Sequence, residues 1–374
     1  MLQNKIYLNF ILELFKTFFL ILLGFSLIAL TVRAVSFLDL IVESGYPIST
    51  YFFYSALNIF GFAPKFIPLS FLIALIIFII KHDHEGELII LWTSGVKKIK
   101  FVNLFLSISL LITIVYMLFS AYLTPLALNK SRELLSNEKY NSILPTIKKQ
   151  TFGDSFKGFT FIVEQKNGSE VKNIFLHDSG ENFKKLSANK SRSKETTVIA
   201  QSGILEKDKF FLINGQVISN KDNGETDVVK FEELIIDLTS LSSTTIKQPK
   251  VQETSTYKLI NCFRESATLY SKICSDDFKK ELYPVLNRRL VLPFYIPAIS
   301  LICSFLLIKS QKKYFNRLFV FTYSFLLLLF TELVVRYTGL SFVLRISFIF
   351  LPILLSILIY FSLIYQFSKE LKTK

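Results

Sequence analysis

The chain has 374 residues, of which 51% are hydrophobic, 15% aromatic (39 of them Phe) and only 19% charged, with a formal charge of +14. A soluble globular chain carries about 25% charged residues, so this one is poor in charge yet strongly basic. Its apolar content excludes disorder, its three cysteines exclude a disulfide scaffold, and its apolar residues are gathered into blocks, so the basic excess is read against a bilayer and not against nucleic acid.

A spanning helix needs about 20 mostly apolar residues. Phe10–Val32 is the first such block, with Lys5 before it, Lys16 near its start and Arg33 at its end. It is too long for a signal-peptide core and is read as a retained anchor. Tyr51–Ile80 follows and contains Pro64, Lys65 and Pro68. Its span is placed at Ile59–Ile80, kinked near the prolines. The next loop predicts a short amphipathic helix over about 84–95. Glu85 and Glu87 stand where a helix N-terminus favours anions, Gly95 suits the C-terminal cap, and Leu88, Leu91 and Trp92 fall on one face. On pattern alone two readings stay open: a membrane-surface helix with ordinary end charges, or a docking helix whose acidic end meets a partner. The third span is Phe101–Leu123.

Beyond it the pattern changes. Short alternating runs such as Phe159–Val163, Asn173–His177, Thr197–Ala200, Phe210–Ile213 and Leu234–Leu238 read as strands. Asn167-Gly168, Asn214-Gly215 and Asn223-Gly224 read as hairpin turns. Together they predict an inserted all-β sandwich or jelly roll. Ser255–Lys280 then reads as a helix returning to the membrane, with Leu259, Cys262, Phe263, Leu269 and Ile273 in a stripe. Leu290–Ile308, Leu318–Thr338 and Ile346–Gln366 complete six spans. The fold class expected is therefore a polytopic α-helical membrane protein, three spans plus three, with an extracytoplasmic jelly-roll-like domain between. The boundaries are 1–125, 126–283 and 284–374.

Orientation follows the lysines and arginines of the short loops. Lys81, Lys97, Lys98, Lys100, Lys309, Lys312, Lys313, Arg317 and the C-terminal Lys369, Lys372 and Lys374 mark one side, against Arg33 and Arg345 on the other. Both termini are expected in the cytoplasm and the β-domain outside. Several cations nevertheless fall at the outer face: Arg33, Lys65, Arg288, Arg289 and Arg336. Singly, each can snorkel to headgroups. Collectively they suit an anionic amphiphile with its phosphates at the interface and its chains between helices. Glu332 lies four residues before Arg336 on one helix face, as a Glu–Arg pair would.

Enzymatic chemistry does not assemble. Gly153-Asp-Ser-Phe-Lys-Gly158 has phosphate-loop spacing but continues Phe159-Thr160, without the lysine and the magnesium-binding hydroxyl, and reads as a turn between strands. His82-Asp83-His84-Glu85 reads as the polar first turn of the short helix and not as a metal cluster. His177 reads as a strand side chain and Cys303 as a small hydrophobe in a span. Cys262 and Cys274, if one helix carries both, lie about 18 Å apart and cannot pair. No nucleophile, base and orienting group converge, so no catalytic residue, metal site or bound cofactor is expected in this chain.

Three spans, an external β-domain, three more spans, and Gly86-Glu-Leu-Ile-Ile-Leu-Trp-Thr-Ser-Gly-Val96 after the second span together resemble the LptF/LptG permease family of lipopolysaccharide export. The resemblance covers nearly the whole chain. Glu87–Gly95 resembles the family's coupling helix, with Glu87 at the acidic position that contacts the ATPase. Leu30-Thr-Val-Arg33 resembles the end of its first helix, whose basic residue faces the lipid cavity, and Arg289-Leu-Val-Leu-Pro293 resembles the opening of its fourth. Phe175-Leu-His-Asp178, Ser255-Thr-Tyr257 and Leu30–Leu40 are more similar to LptF than to LptG. Val285 departs from the glutamate many members carry there.

The resemblance implies a non-catalytic permease subunit of the bacterial inner membrane. Its implied partners are an LptG-like (or LptF-like) second permease, a cytoplasmic LptB-like ATPase dimer that holds the ATP and magnesium, an LptC-like periplasmic bridge, and lipopolysaccharide. Two other functions are compatible with the residues. One is a sensor or scaffold whose external β-domain binds a ligand. The other is a proton-coupled lipid transporter using Glu332 with Arg336.

Overall fold

A computed structural model describes residues 2–42, 46–139, 153–156, 159–167, 169–179, 193–206, 209–221, 226–237, 250–264, 276–308 and 313–372. Among the described residues six helical stretches are long and apolar enough to cross a membrane: Lys5–Ile41, Ile48–His84, Lys98–Leu135, Lys280–Leu307, Tyr314–Tyr337 and Phe342–Glu370. Between the third and fourth lies an antiparallel sheet. The protein is a helical membrane protein with an inserted β-domain, as its composition blocks require. The chain divides into two compact units, one of residues 1–32, 57–129 and 250–374, the other of residues 33–56 and 130–249.

In the first unit the regular helices are α1 (Leu2–Phe37, shared with the second unit), α2 (Ile48–Phe62, likewise shared) and α3 (Ile67–His84). They are followed by α4 (Glu87–Thr93), α5 (Lys98–Leu118) and α6 (Thr124–Lys139), the last also crossing into the second unit. After the insertion come α7 (Thr256–Arg264), α8 (Asp276–Leu290), α9 (Tyr295–Cys303), α10 (Lys313–Tyr337) and α11 (Phe342–Lys372). The second and fourth spans form the middle of the bundle, with 61% and 67% of their apolar windows buried, against 6% for the first and 11% for the sixth. Phe71, Leu72, Leu75, Phe101, Phe105, Ile296 and Ile299 make the center of this core.

Proline shapes four of the spans, and each time a neighbour repairs the damage. A proline has no N–H, so the carbonyl four residues earlier loses its helical donor, and hydrocarbon offers no water to replace it. Pro64 frees the carbonyl of Phe60, which accepts from Thr124 Oγ1 at 2.7 Å. Pro125 frees Ala121, which accepts from Thr256 Oγ1 at 2.5 Å. Pro297 frees the carbonyl of Pro293, which lies 3.2 Å from Thr113 Oγ1, a hydroxyl it shares with the Ser109 carbonyl at 2.8 Å. Pro352 frees Phe348, which accepts from Tyr295 Oη at 3.1 Å. The kink expected near Pro64 is a 3-10 turn, Ala63–Phe66. At Pro125 the break is a π-helical turn, Phe119–Leu123. A fifth proline, Pro284, frees the carbonyl of Lys280, and Gly339 passes so close that a side chain there would collide with that oxygen.

In the β-domain, strands β1 (Gly153–Phe156), β2 (Phe159–Asn167), β3 (Glu170–Asp178), β4 (Ser193–Glu206), β5 (Lys209–Lys221) and β6 (Thr226–Asp237) pair in simple consecutive order. Each strand therefore returns beside its predecessor, a meander in place of the strand order of a jelly roll. The segment Gly153–Phe156, expected as a turn, is the edge strand. Asn214-Gly215, expected as a hairpin, lies inside β5, and Asn223-Gly224 lies outside the described residues.

The left-handed backbone that Asn214 signals is present, at φ 53°, and Asn173 on β3 shares it at φ 52°. The two asparagines sit on one line across the sheet, where the ladder skips from Lys172–Ser202 to Ile174–Ala200 and from Ile213–Glu233 to Gly215–Phe231. Along that line the buried positions change phase, from Val171 to Ile174 on β3 and from Ala200 to Gly203 on β4. The Asn-Gly pair predicts the conformation but not its consequence, for the left-handed residue creases a long strand instead of ending a short one. Of the helix expected over Ser255–Lys280, α7 covers Thr256–Arg264 and α8 starts at Asp276, and residues 265–275 lie outside the described residues. Cys262 is disulfide-bonded, and Cys274 lies outside the described residues.

Removing one repairing hydroxyl should cost about 1 kcal/mol. Tyr295→Phe is expected to lower the thermal midpoint of the detergent-solubilised protein. Adding Pro352→Ala, which gives Phe348 back its own helical donor, should recover most of that loss. A Tyr295→Phe midpoint equal to wild type would refute the role assigned to this hydroxyl.

Candidate functional site

The loop helix α4 is built by its flanking glycines. Gly86 takes φ 78° immediately before it and Gly95 takes φ 87° after it, the left-handed region in which a side chain is strained. At the far end Val96 N–H reaches the Leu91 carbonyl (3.1 Å) and Gly95 N–H the Trp92 carbonyl (3.2 Å), a closed C-cap. Glu87 opens the helix, while Glu85 precedes it as the exposed cap of α3.

The face predicted to be apolar turns inward. Leu88 is 4% exposed, and Leu91 and Trp92 pack on the bundle core, with the Trp92 ring 5.2 Å from Phe101. These three residues anchor the helix and do not present it. The outward surface consists of Ile89 (55% exposed) and Ile90 (66% exposed) beside Glu87. Sequence reasoning missed those isoleucines because they sit off the stripe. The signal was available, since the run Leu88–Trp92 is apolar all round, more than one buried face needs.

His82-Asp83-His84 is the last turn of α3 and not the start of the short helix, because Gly86 is where the backbone breaks. Consecutive side chains of that turn reach different elements. Lys81 Nζ meets Glu13 Oε1 on α1 at 2.5 Å. His82, 1% exposed, places Nε2 at 3.4 Å from both Glu13 Oε2 and Glu87 Oε2, while its Nδ1 lies 2.8 Å from the Phe78 carbonyl. Arg317 of α10 donates to Asp83 Oδ2 at 2.9 Å. Lys98 donates to Glu370 Oε2 at 2.6 Å, joining α5 to α11. The α4 end of the bundle is thus held by charge.

At the other end the cations separate into three kinds. Arg289 is buried, with Nη1 donating to the Thr254 carbonyl (2.9 Å) and Thr256 Oγ1 (2.9 Å) and Nη2 to the Gln252 carbonyl (2.7 Å). Its guanidinium clamps the segment that re-enters the bundle, an arrangement that leaves it unsuited to the lipid contact expected of it. Arg288 donates to Glu332 Oε2 at 2.7 Å. Glu332 therefore pairs across two spans and not with Arg336 on its own helix. Arg336, in the last turn of α10, and Lys65, in the 3-10 turn, are exposed. Arg33 is exposed near the end of α1, within the second unit. His177 Nδ1 lies 3.0 Å from Thr197 Oγ1 on the next strand, a cross-strand contact.

Comparison with known proteins gives these positions a context. The family model described as lipopolysaccharide export system permease LptF/LptG matches residues 10–366. An uncharacterized protein of Rickettsia prowazekii (strain Madrid E) is 25% identical over 227 residues, 58% of this chain. The match spans 59% of that relative's length, less than two thirds.

The two arginine environments make opposite demands. Arg289→Met strands two backbone carbonyls and a hydroxyl, and should destabilise the protein by roughly 2–4 kcal/mol. Arg336→Met, at an exposed site, should change stability by less than about 0.5 kcal/mol. Thermal unfolding in detergent measures both, and equal midpoints for the two variants would contradict the clamp.

Proposed function

The chain belongs to the LptF/LptG family of lipopolysaccharide export permeases, and from that membership we propose that it is the permease half-site of an ATP-driven exporter. Members are membrane transport subunits and not catalytic ones. In this reading the chain pairs with a second, related permease to enclose a cavity open to the outer leaflet of the inner membrane. A cytoplasmic LptB-like ATPase dimer binds and hydrolyses ATP with magnesium, and lipopolysaccharide passes to the β-domain and an LptC-like bridge in the periplasm. Both termini then lie in the cytoplasm.

The observation that carries the proposal is α4. A helix fixed to the bundle by Leu88, Leu91 and Trp92 presents two bare isoleucines beside a carboxylate. Apolar anchors rimmed by charge are what a docking surface for another protein needs. Force applied to Ile89, Ile90 and Glu87 would enter the bundle through the buried face of the same short helix. Arg33, Lys65 and Arg336, whose side chains are exposed, would hold lipid phosphates, since guanidinium and ammonium groups bind phosphate by charge-assisted hydrogen bonds. Cys262, half of a disulfide, fits a re-entry segment that meets an oxidising compartment.

Two measurements test this reading. An ATPase should co-purify with the chain from its native membrane, and Glu87→Arg or Ile90→Asp should weaken that association by about tenfold or more. Proteoliposomes holding the assembled complex should release lipopolysaccharide only with ATP. Release by the wild-type complex in the absence of the ATPase would sink the mechanism.

A further inference from the structure

The sequence motif around Glu87 accounts for the outward contact of α4 but not for what its carboxylate does inside the protein. Glu87 Oε2 faces His82 Nε2 at 3.4 Å, and the same nitrogen stands 3.4 Å from Glu13 Oε2 on α1. His82 is itself part of α3 and is buried between the rings of Phe10 (4.9 Å) and Phe78 (4.1 Å). With Nδ1 2.8 Å from the Phe78 carbonyl, that nitrogen carries a hydrogen and donates, which fixes the ring and aims Nε2 at the two carboxylates.

Nε2 stands equally far from the two carboxylates, so one ring edge faces Glu13 of α1 and Glu87 of α4 together. The contact therefore joins three elements at one ring nitrogen. The other charged groups around it are Lys81, held on Glu13 Oε1, and Asp83, held by Arg317. We propose that His82 is the positioning residue that joins α4 to the first span: it holds the N-terminus of α4 through Glu87 and α1 through Glu13, so that displacement of α4 is delivered to α1. The inference rests on the export reading for what pushes α4, and on geometry alone for the joint itself.

The placement explains why a buried histidine stands at the end of an apolar span. A hydrophobic side chain would pack between Phe10 and Phe78 equally well, but could not grip two carboxylates. It also gives the first span, whose apolar window is only 6% buried, a specific tie to the rest of the bundle at this end. Arg317 on Asp83 extends the same turn to α10, so one turn of α3 meets α1, α4 and α10.

The joint can be tested without a partner, because Trp92 on α4 is the chain's single tryptophan. In the full-length protein in nanodiscs, His82→Leu and Glu13→Gln should each red-shift Trp92 emission and increase its quenching by acrylamide. The double variant should do no more than either single one, since both cut one joint. His82→Gln, which keeps an N–H donor near the Nε2 position, should stay close to wild type and guards against a merely misfolded Leu variant.

In proteoliposomes with the ATPase and second permease, His82→Leu and Glu13→Gln should lower lipopolysaccharide released per ATP hydrolysed by about fivefold or more. The amount of ATPase that co-purifies should stay unchanged. Trp92 unaffected in both single variants overturns the joint. So does an unchanged release per ATP when the wild-type complex exports. A wild-type complex that does not export refutes the export reading instead, and leaves the fluorescence result to decide whether the joint exists.

Discussion

Hydrocarbon cannot hydrogen-bond, and that constraint organises the membrane unit more than any single apolar contact. Leucine against leucine in a bilayer gains little over leucine against lipid, so close helix packing needs another source of specificity. Here proline supplies it. Each of Pro64, Pro125, Pro297 and Pro352 leaves a carbonyl without its donor, and each carbonyl is met by a hydroxyl from another helix. The pairs set register as well as adjacency, because a hydroxyl can reach only one carbonyl on a neighbouring helix. The third span is tied to the second and fourth in this way, and the fourth to the sixth. The spans that make these bonds include the two with the most deeply buried windows.

The same logic continues where the chain re-enters the bundle. Thr256 Oγ1 donates to the carbonyl freed by Pro125 and accepts from Arg289. Arg289 in turn gathers the carbonyls of Gln252 and Thr254, so the segment returning from the insertion is locked to the third and fourth spans by one connected polar network. At the α4 end the described residues show ion pairs instead: Lys81 with Glu13, Arg317 with Asp83, Lys98 with Glu370. Half-exposed ion pairs are weak and exchange partners readily. Hydroxyl–carbonyl bonds inside the bundle are shielded from the water that would compete for them. One end is built to hold its shape and the other to yield.

Much of this was legible beforehand, and the residues show why. The six spans, the β insertion and the short helix with its glycine ends all follow from periodicity and composition, which report on local structure. The hairpin assigned to Asn214-Gly215 failed because left-handed backbone is a local property, while the choice between a turn and a crease depends on whether the next strand continues in register. The lipid role given to Arg289 failed for a related reason. Adjacent arginines look alike in a sequence, yet one turn of helix points Arg288 at Glu332 and Arg289 at three protein oxygens. His82 was set aside as part of a polar turn because its partners, Glu13 and Glu87, lie far from it or across a glycine break.

Those partners bear on how a seven-residue helix could move a bundle. A helix so short has little stability of its own, so whatever it transmits must pass through side chains fixed elsewhere. Leu88, Leu91 and Trp92 resist a push toward the core, since packed apolar surfaces are stiff in compression. They resist a pull or a sideways slide poorly, because the hydrophobic effect is non-directional. The directed polar contact at His82 would supply the missing direction: in the proposed joint it opposes withdrawal of Glu87 from His82, and the shared edge passes that load to Glu13. In that proposal Glu87 combines two tasks in one carboxylate, which is 48% exposed and stands 3.4 Å from the buried His82 ring. A larger helix could separate those tasks among several residues, whereas in the proposed docking role α4 would have only its first residue for both.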